Sequence, residues 1–107
     1  GLPYWLWRFD HFQHNYQESN RFPNMPKLQR KVSEYVKENI PITTSGMFWE
    51  PVLLFCQQVV GMDRVMYSMD YPFQFSANEV KTVDNLPISD ADKKKLYQTN
   101  AERIFKL

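Results

Sequence analysis

Val65-Met66-Tyr67-Ser68-Met69 is apolar at odd and even positions alike, except at Ser68. A strand with one wet face alternates apolar and polar residues. A run without alternation needs cover on both faces, as in a parallel sheet. The run stops abruptly at Asp70-Tyr71-Pro72. Upstream, Ile42-Thr43-Thr44 is a second short, β-branched run that leads into the turn Ser45-Gly46. Between the two, Pro51 opens a helix in which Val52, Phe55, Cys56 and Val59 share a face, and Gly61 is placed to stop it. Strand, helix and strand make one βαβ unit, expected parallel and right-handed. Two strands cannot close a barrel or build a covered parallel sheet. Their apolar character therefore implies neighbouring strands that this chain does not supply.

The flanking segments read as helices. Pro3 suits a first helical turn, and behind it Trp5, Phe9, Phe12 and Tyr16 recur as one stripe. Tyr4, Arg8, His11 and Asn15 line a more polar face beside it. Residues 18–26, with two prolines, form a loop. Leu28, Val32, Tyr35 and Val36 mark a second helix with Lys27, Arg30 and Lys31 on its solvated side; Ile40 before Pro41 ends it. After Pro72 the chain is helical and carries three capping-box patterns, Ser76–Glu79, Ser89–Asp92 and Thr99–Glu102.

Composition narrows the functional classes. With 13 basic and 12 acidic side chains and a net charge of +1, the chain gives no electrostatic reason to expect nucleic acid or a membrane surface as partner. No apolar run approaches the roughly 20 residues of a membrane helix, and no targeting signal is evident, so a cytoplasmic location is expected. The lone Cys56 reads as a buried structural thiol. The start Gly-Leu-Pro, without an initiator Met, is expected of an excised or incomplete segment.

Chemistry is expected at the carboxyl ends of parallel strands. Asp70 occupies such an end, where a carboxylate must meet a cation, a hydrogen-bond network or substrate. The alternative is an Asp that caps the following turn, and spacing alone leaves the two near parity. One Asp is not a metal site, and the chain has no His-x-His pair or Cys cluster. His11 and His14, three apart, read as exposed residues of a polar face. Arg8, set among Trp5, Trp7 and Phe9, is either ion-paired within the structure or a bidentate clamp on a carboxylate.

In combination these residues resemble a family. Gly1 to Arg8 (GLPYWLWR), Ile42 to Gly46 (ITTSG), Met66 to Phe73 (MYSMDYPF) and Thr99 to Phe105 (TNAERIF) fall in the order seen in amidohydrolase-related, metal-dependent, non-oxidative aromatic acid decarboxylases. Phe48 to Pro51 (FWEP) and Asp63 to Tyr67 (DRVMY) are most similar to the 5-carboxyvanillate type. The resemblance spans essentially the whole chain. It implies the C-terminal part of a single (β/α)8 TIM-type barrel domain, with Ile42–Thr44 as strand seven, Val65–Met69 as strand eight, and the closing helices as cover.

By the same resemblance Asp70 matches a metal-binding, proton-handling aspartate, with zinc or manganese as the divalent ion. Arg8 matches an arginine that binds the substrate carboxylate across the interface of a homo-dimer or homo-tetramer. Phe73 matches an aromatic position beside the ring of a small aromatic carboxylic acid. His11 and His14 match no ligand. The remaining ligands, including those of a His-x-Gly-Glu segment, are implied upstream of Gly1, so activity is implied for the intact enzyme. The implied reaction protonates the carboxyl-bearing ring carbon, and loss of CO2 restores aromaticity. Metal coordination favours an ionised carboxylate, so Asp70 is expected to relay a proton rather than store one. Two other readings stand beside this one. The first is hydrolysis of a lactone or amide on the same barrel; the second is an inactive segment with a structural or assembly role.

Overall fold

The computed structural model describes residues 1–107, which divide into two compact units, Gly1–Ile40 and Pro41–Leu107. In the first unit, Pro3 sits in the opening turn of helix α1 (Leu2–Glu18). The aromatic stripe stays half-exposed: Trp5, Phe9, Phe12 and Tyr16 keep between 38% and 47% of their surface in solvent. A polar face of α1 does the gripping instead. Gln17 Nε2 donates to the Leu28 carbonyl (2.8 Å) and Gln13 Nε2 to the Arg30 carbonyl (2.7 Å). Gln13 Oε1 accepts from the Val32 N–H (2.9 Å), and the Asp10 carboxylate accepts from both the N–H and the hydroxyl of Ser33 (2.8 and 2.6 Å).

These bonds explain where helix α2 (Val32–Asn39) begins, four residues later than the apolar spacing from Leu28 predicts. The carbonyls of Leu28 and Arg30 are held by α1 side chains, so this stretch stays extended. The first free N–H groups of α2 are then capped from α1, with Asp10 placed well for the positive end of the helix. Ile40 ends α2 in an extended conformation before Pro41, as predicted.

In the second unit, strands β1 (Ile42–Thr43) and β2 (Val65–Met66) pair in parallel, Ile42 opposite Val65 and Thr43 opposite Met66. Both are shorter than predicted, because a side chain takes over the ladder. The Thr44 N–H still reaches the Met66 carbonyl (3.0 Å). The buried Thr44 hydroxyl then donates to the Ser68 carbonyl (2.8 Å) and accepts from the Ser68 N–H (2.9 Å). Helix α3 (Glu50–Val60) carries Pro51 in its first turn and ends at Gly61, whose φ of +81° suits glycine. Its inward face is centred on Leu53, with Cys56 and Val60 beside it. Phe55, expected on that face, lies outside.

A 3-10 turn (Met62–Arg64) feeds β2. The core joins Leu53, Met62 and Val65 to Val83 of helix α4 (Ala77–Asp84), Leu86, and Leu96. Leu96 lies in a π-helical turn (Lys95–Thr99) between helices α5 (Asp90–Lys94) and α6 (Asn100–Phe105). Its carbonyl accepts from the Tyr67 N–H (2.8 Å), so this segment covers β2. The buried Asn100 amide donates to the carbonyls of Met62 and Val65 (2.6 and 2.8 Å), fixing the entry into the strand.

The capping boxes fare unequally. Ser89 Oγ accepts from the Asp92 N–H (3.1 Å). Ser76 is the N-cap of α4 without a side-chain bond, because Glu79 turns into the core. Thr99 stands within a continuous helical run and caps nothing; Glu102 accepts from Gln98 instead (2.6 Å). No helix is long and apolar enough to cross a membrane.

Candidate active site at the ends of two parallel strands

Both strands finish in left-handed backbone. After β1 come Ser45 (φ 33°) and Gly46 (φ 74°), and after the β2 extension comes Asp70 (φ 65°). A left-handed conformation is uncommon for a non-glycine residue, though Asp tolerates it better than most, and its cost is of order 1 kcal/mol. Here it turns the chain sharply out of the strand. The Asp70 carbonyl accepts from the N–H groups of Phe73 and Gln74 (3.0 and 3.1 Å), closing the turn through the backbone. The carboxylate is not spent on that closure. Its Oδ2 accepts from Gln74 Nε2 (3.3 Å), which leaves Oδ1 as a donor atom at a half-buried position. Of the two alternatives open in the sequence, turn capping by the side chain is not what forms.

The turn brings Asp70 and Phe73 together. Phe73 is 87% exposed, and Tyr71 and Phe75 on either side are 78% and 77% exposed. Large aromatic surface held in solvent beside a carboxylate is an unusual feature that calls for a cover or a ligand. On the β1 side a groove of about 400 Å³ opens between Gly46, Trp49, Pro51 and Thr82. A larger cleft of about 600 Å³ lies in the first unit, walled by Phe9, Phe12, Tyr16, Phe22 and Leu28, and no carboxylate, His or Cys lines it. Size alone does not mark the chemistry.

Arg8 belongs to the first unit and is exposed. Its guanidinium lies over the Phe12 ring, 4.7 Å from the centroid. It takes no part in the salt bridges Arg30–Glu38, Lys95–Asp63 and Lys95–Asp92. His11 stacks on Trp7 (5.1 Å between centroids) and bonds to Asn15 (3.1 Å). Cys56 is half-buried, and burial pushes its thiol up.

The donor chemistry bears on the implied metal. A carboxylate oxygen suits a divalent ion such as manganese or zinc. No three His, Cys, Asp or Glu side chains are gathered to hold one. Asp70 thus fits as a single donor of a larger set.

Sequence reasoning missed Gln74 and Glu79. Glu79 is almost wholly buried beside the Tyr67 hydroxyl, and burial pushes its carboxyl up. The capping-box pattern at Ser76 masked it. The signal for Gln74 was its place four residues after Asp70.

The amidohydrolase family profile matches residues 7–107. A 5-carboxyvanillate decarboxylase from Novosphingobium aromaticivorans, solved with manganese and 4-hydroxy-3-methoxy-5-nitrobenzoic acid, is 49% identical. It superimposes with a TM-score of 0.90 over 99% of this chain and 30% of that one. A dihydroxybenzoic acid decarboxylase from Polaromonas sp. JS666, solved with manganese and 2-nitroresorcinol, is 38% identical with a TM-score of 0.82 over 100% of this chain and 31% of that one. Among curated proteins, the gamma-resorcylate decarboxylase of Polaromonas sp. JS666 is 36% identical over 107 residues. The chain covers 32% of that protein, about a third of its length. These neighbours have the amidohydrolase, TIM-barrel type of fold, and the decarboxylases among them are the kind the motifs resemble.

Proposed function

Because this chain belongs to the amidohydrolase family, we propose that it forms the last two strands and covering helices of a (β/α)8 barrel. The intact barrel, in this reading, removes CO2 from a hydroxylated aromatic carboxylic acid with the help of a divalent ion. The observation that carries the proposal is Asp70. It stands at the carboxyl end of a parallel strand, on a left-handed turn that closes through its backbone, with its carboxylate left to other work. Similarity to two manganese-containing decarboxylases supports the metal.

Three residues of this chain, Asp70, Phe73 and Arg8, have tasks in that reaction. A divalent ion, held in part by Asp70, would supply positive charge to bind and polarise an anionic substrate. Asp70 would be one of its ligands and would relay a proton, received from the substrate or from a group outside this chain, to the ring carbon that bears the carboxylate. That carbon gains a C–H bond, the C–C bond to the carboxylate breaks, and its electron pair returns to the ring as CO2 leaves. Phe73 lies along the ring. Arg8 offers a two-pronged guanidinium to the substrate carboxylate of a neighbouring subunit in a homo-dimer or homo-tetramer, with Phe12 beneath it to limit its swing.

The test is a direct assay of the full-length enzyme, loaded with manganese or with zinc, on 5-carboxyvanillate and on dihydroxybenzoates. CO2 release at a stoichiometry of one per ring supports the proposal. Hydrolysis of a lactone or amide without CO2 release would instead favour the hydrolase reading.

A further inference from the structure

Gln74 links the two strand ends in a way that neither the family profile nor the motifs assign. Its amide nitrogen donates to Asp70 Oδ2 (3.3 Å), while the flat of the amide rests on Gly46. A Cβ placed on Gly46 would stand 2.5 Å from Gln74 Oε1 and 2.7 Å from its Cδ and Nε2, so a side chain there would push the amide aside. Gly46 is in turn fastened to the β2 extension, its N–H donating to the Ser68 carbonyl (3.3 Å). Ser68, Gly46, Gln74 and Asp70 therefore close a ring across the two strand ends, and the Asp70 carboxylate is its last member.

We propose that Gln74 is a positioning residue for Asp70. Braced against the Gly46 backbone, its amide holds the carboxylate in one rotamer and keeps Oδ1 free for the metal. The inference rests on the reading of Asp70 given above. An exposed glutamine would otherwise sample many rotamers, and a carboxylate at a strand end would swing with it. The bond to Asp70 and the contact with Gly46 restrict both freedoms, and hydrogen-bonded partners of metal ligands are known to tune affinity and geometry in this way.

The test uses the full-length enzyme with manganese and four variants: Asp70→Asn, Gln74→Ala, Gly46→Ala, and Gly46→Ala with Gln74→Ala. Manganese affinity, the EPR line shape of the bound ion, kcat and KM are followed in each. Gln74→Ala is expected to lower kcat about tenfold, equivalent to about 1.4 kcal/mol, with KM held within about twofold. The EPR line shape should change with it. Gly46→Ala should do the same, because its methyl group displaces the amide, and the double variant should be no worse than Gly46→Ala alone. Unchanged kcat and line shape in Gln74→Ala, or simple additivity in the double variant, overturns the proposal. Asp70→Asn separates the two claims. If it abolishes turnover while Gln74→Ala leaves kcat and the line shape unchanged, only the role of Gln74 falls. If it leaves turnover and manganese affinity intact, the reading of Asp70 falls and takes this inference with it.

Discussion

Replacing Thr44 by Val isolates the bond that splices the two strand ends. The two side chains have the same shape and both favour strands, so packing is nearly conserved. What is lost is the hydroxyl that donates to the Ser68 carbonyl (2.8 Å) and accepts from its N–H (2.9 Å) at a site only 5% exposed. The carbonyl keeps the bond from the Gly46 N–H (3.3 Å), but the Ser68 N–H is orphaned. Two net hydrogen bonds and one buried donor without a partner amount to about 2 kcal/mol or more. Native-state hydrogen exchange on the full-length protein measures this locally, and the Ser68 amide should exchange about thirtyfold faster in Thr44→Val. Thr44→Ser retains the hydroxyl and gives up only a methyl group, at about 1 kcal/mol. If Ser68 keeps its protection in the Val variant, or if the Ser variant loses more than the Val variant, the splice is not what holds the strand ends.

Three further outcomes follow from the same structure. Asn100→Ala removes the amide donor from the carbonyls of Met62 and Val65, of which Met62 keeps the bond from the Val65 N–H, and should destabilise the fold by about 1–3 kcal/mol in urea unfolding; a loss below about 0.5 kcal/mol would refute the clamp. Glu79 has its carboxyl pushed up by burial, so the folded state holds its proton to higher pH than the unfolded chain does. Its stabilising contribution is complete below the ordinary glutamate range and fades as pH rises through the folded value. Glu79→Gln should flatten that decline in Tm, and an unaltered slope would refute it. Arg8→Lys keeps the charge and loses the fork, so KM should rise about tenfold with kcat retained. Unchanged KM would remove Arg8 from substrate binding.

The parallel pairing of β1 with β2 was legible because Val65 to Met69 lacks alternation, and the stop at Asp70 because polar and proline residues follow at once. The ends of the strands were not legible. There the ladder passes from backbone to the Thr44 side chain, and periodicity does not register a hydroxyl standing in for an amide. The late start of α2 was hidden for a similar reason: its boundary is set by Asp10, Gln13 and Gln17, which lie some twenty residues upstream. Local apolar spacing from Leu28 cannot see a cap supplied by another helix. The Thr99–Glu102 pattern misled in the opposite direction, since the helix simply runs on through a π turn. Asp70 was singled out from its position at a strand end, and the structure puts it there on a left-handed turn. Gln74 was not, because its meaning depends on Gly46, 28 residues earlier in the chain and visible only once the strands are paired.

The central claim is that Asp70 is both a metal ligand and the group through which the proton reaches the ring. The most direct measurement is single-turnover release of CO2 from 5-carboxyvanillate by the full-length, manganese-loaded enzyme, compared with its Asp70→Asn variant. The account predicts stoichiometric CO2 from the parent enzyme and none above the uncatalysed background from the variant. Near-normal release by Asp70→Asn would contradict it.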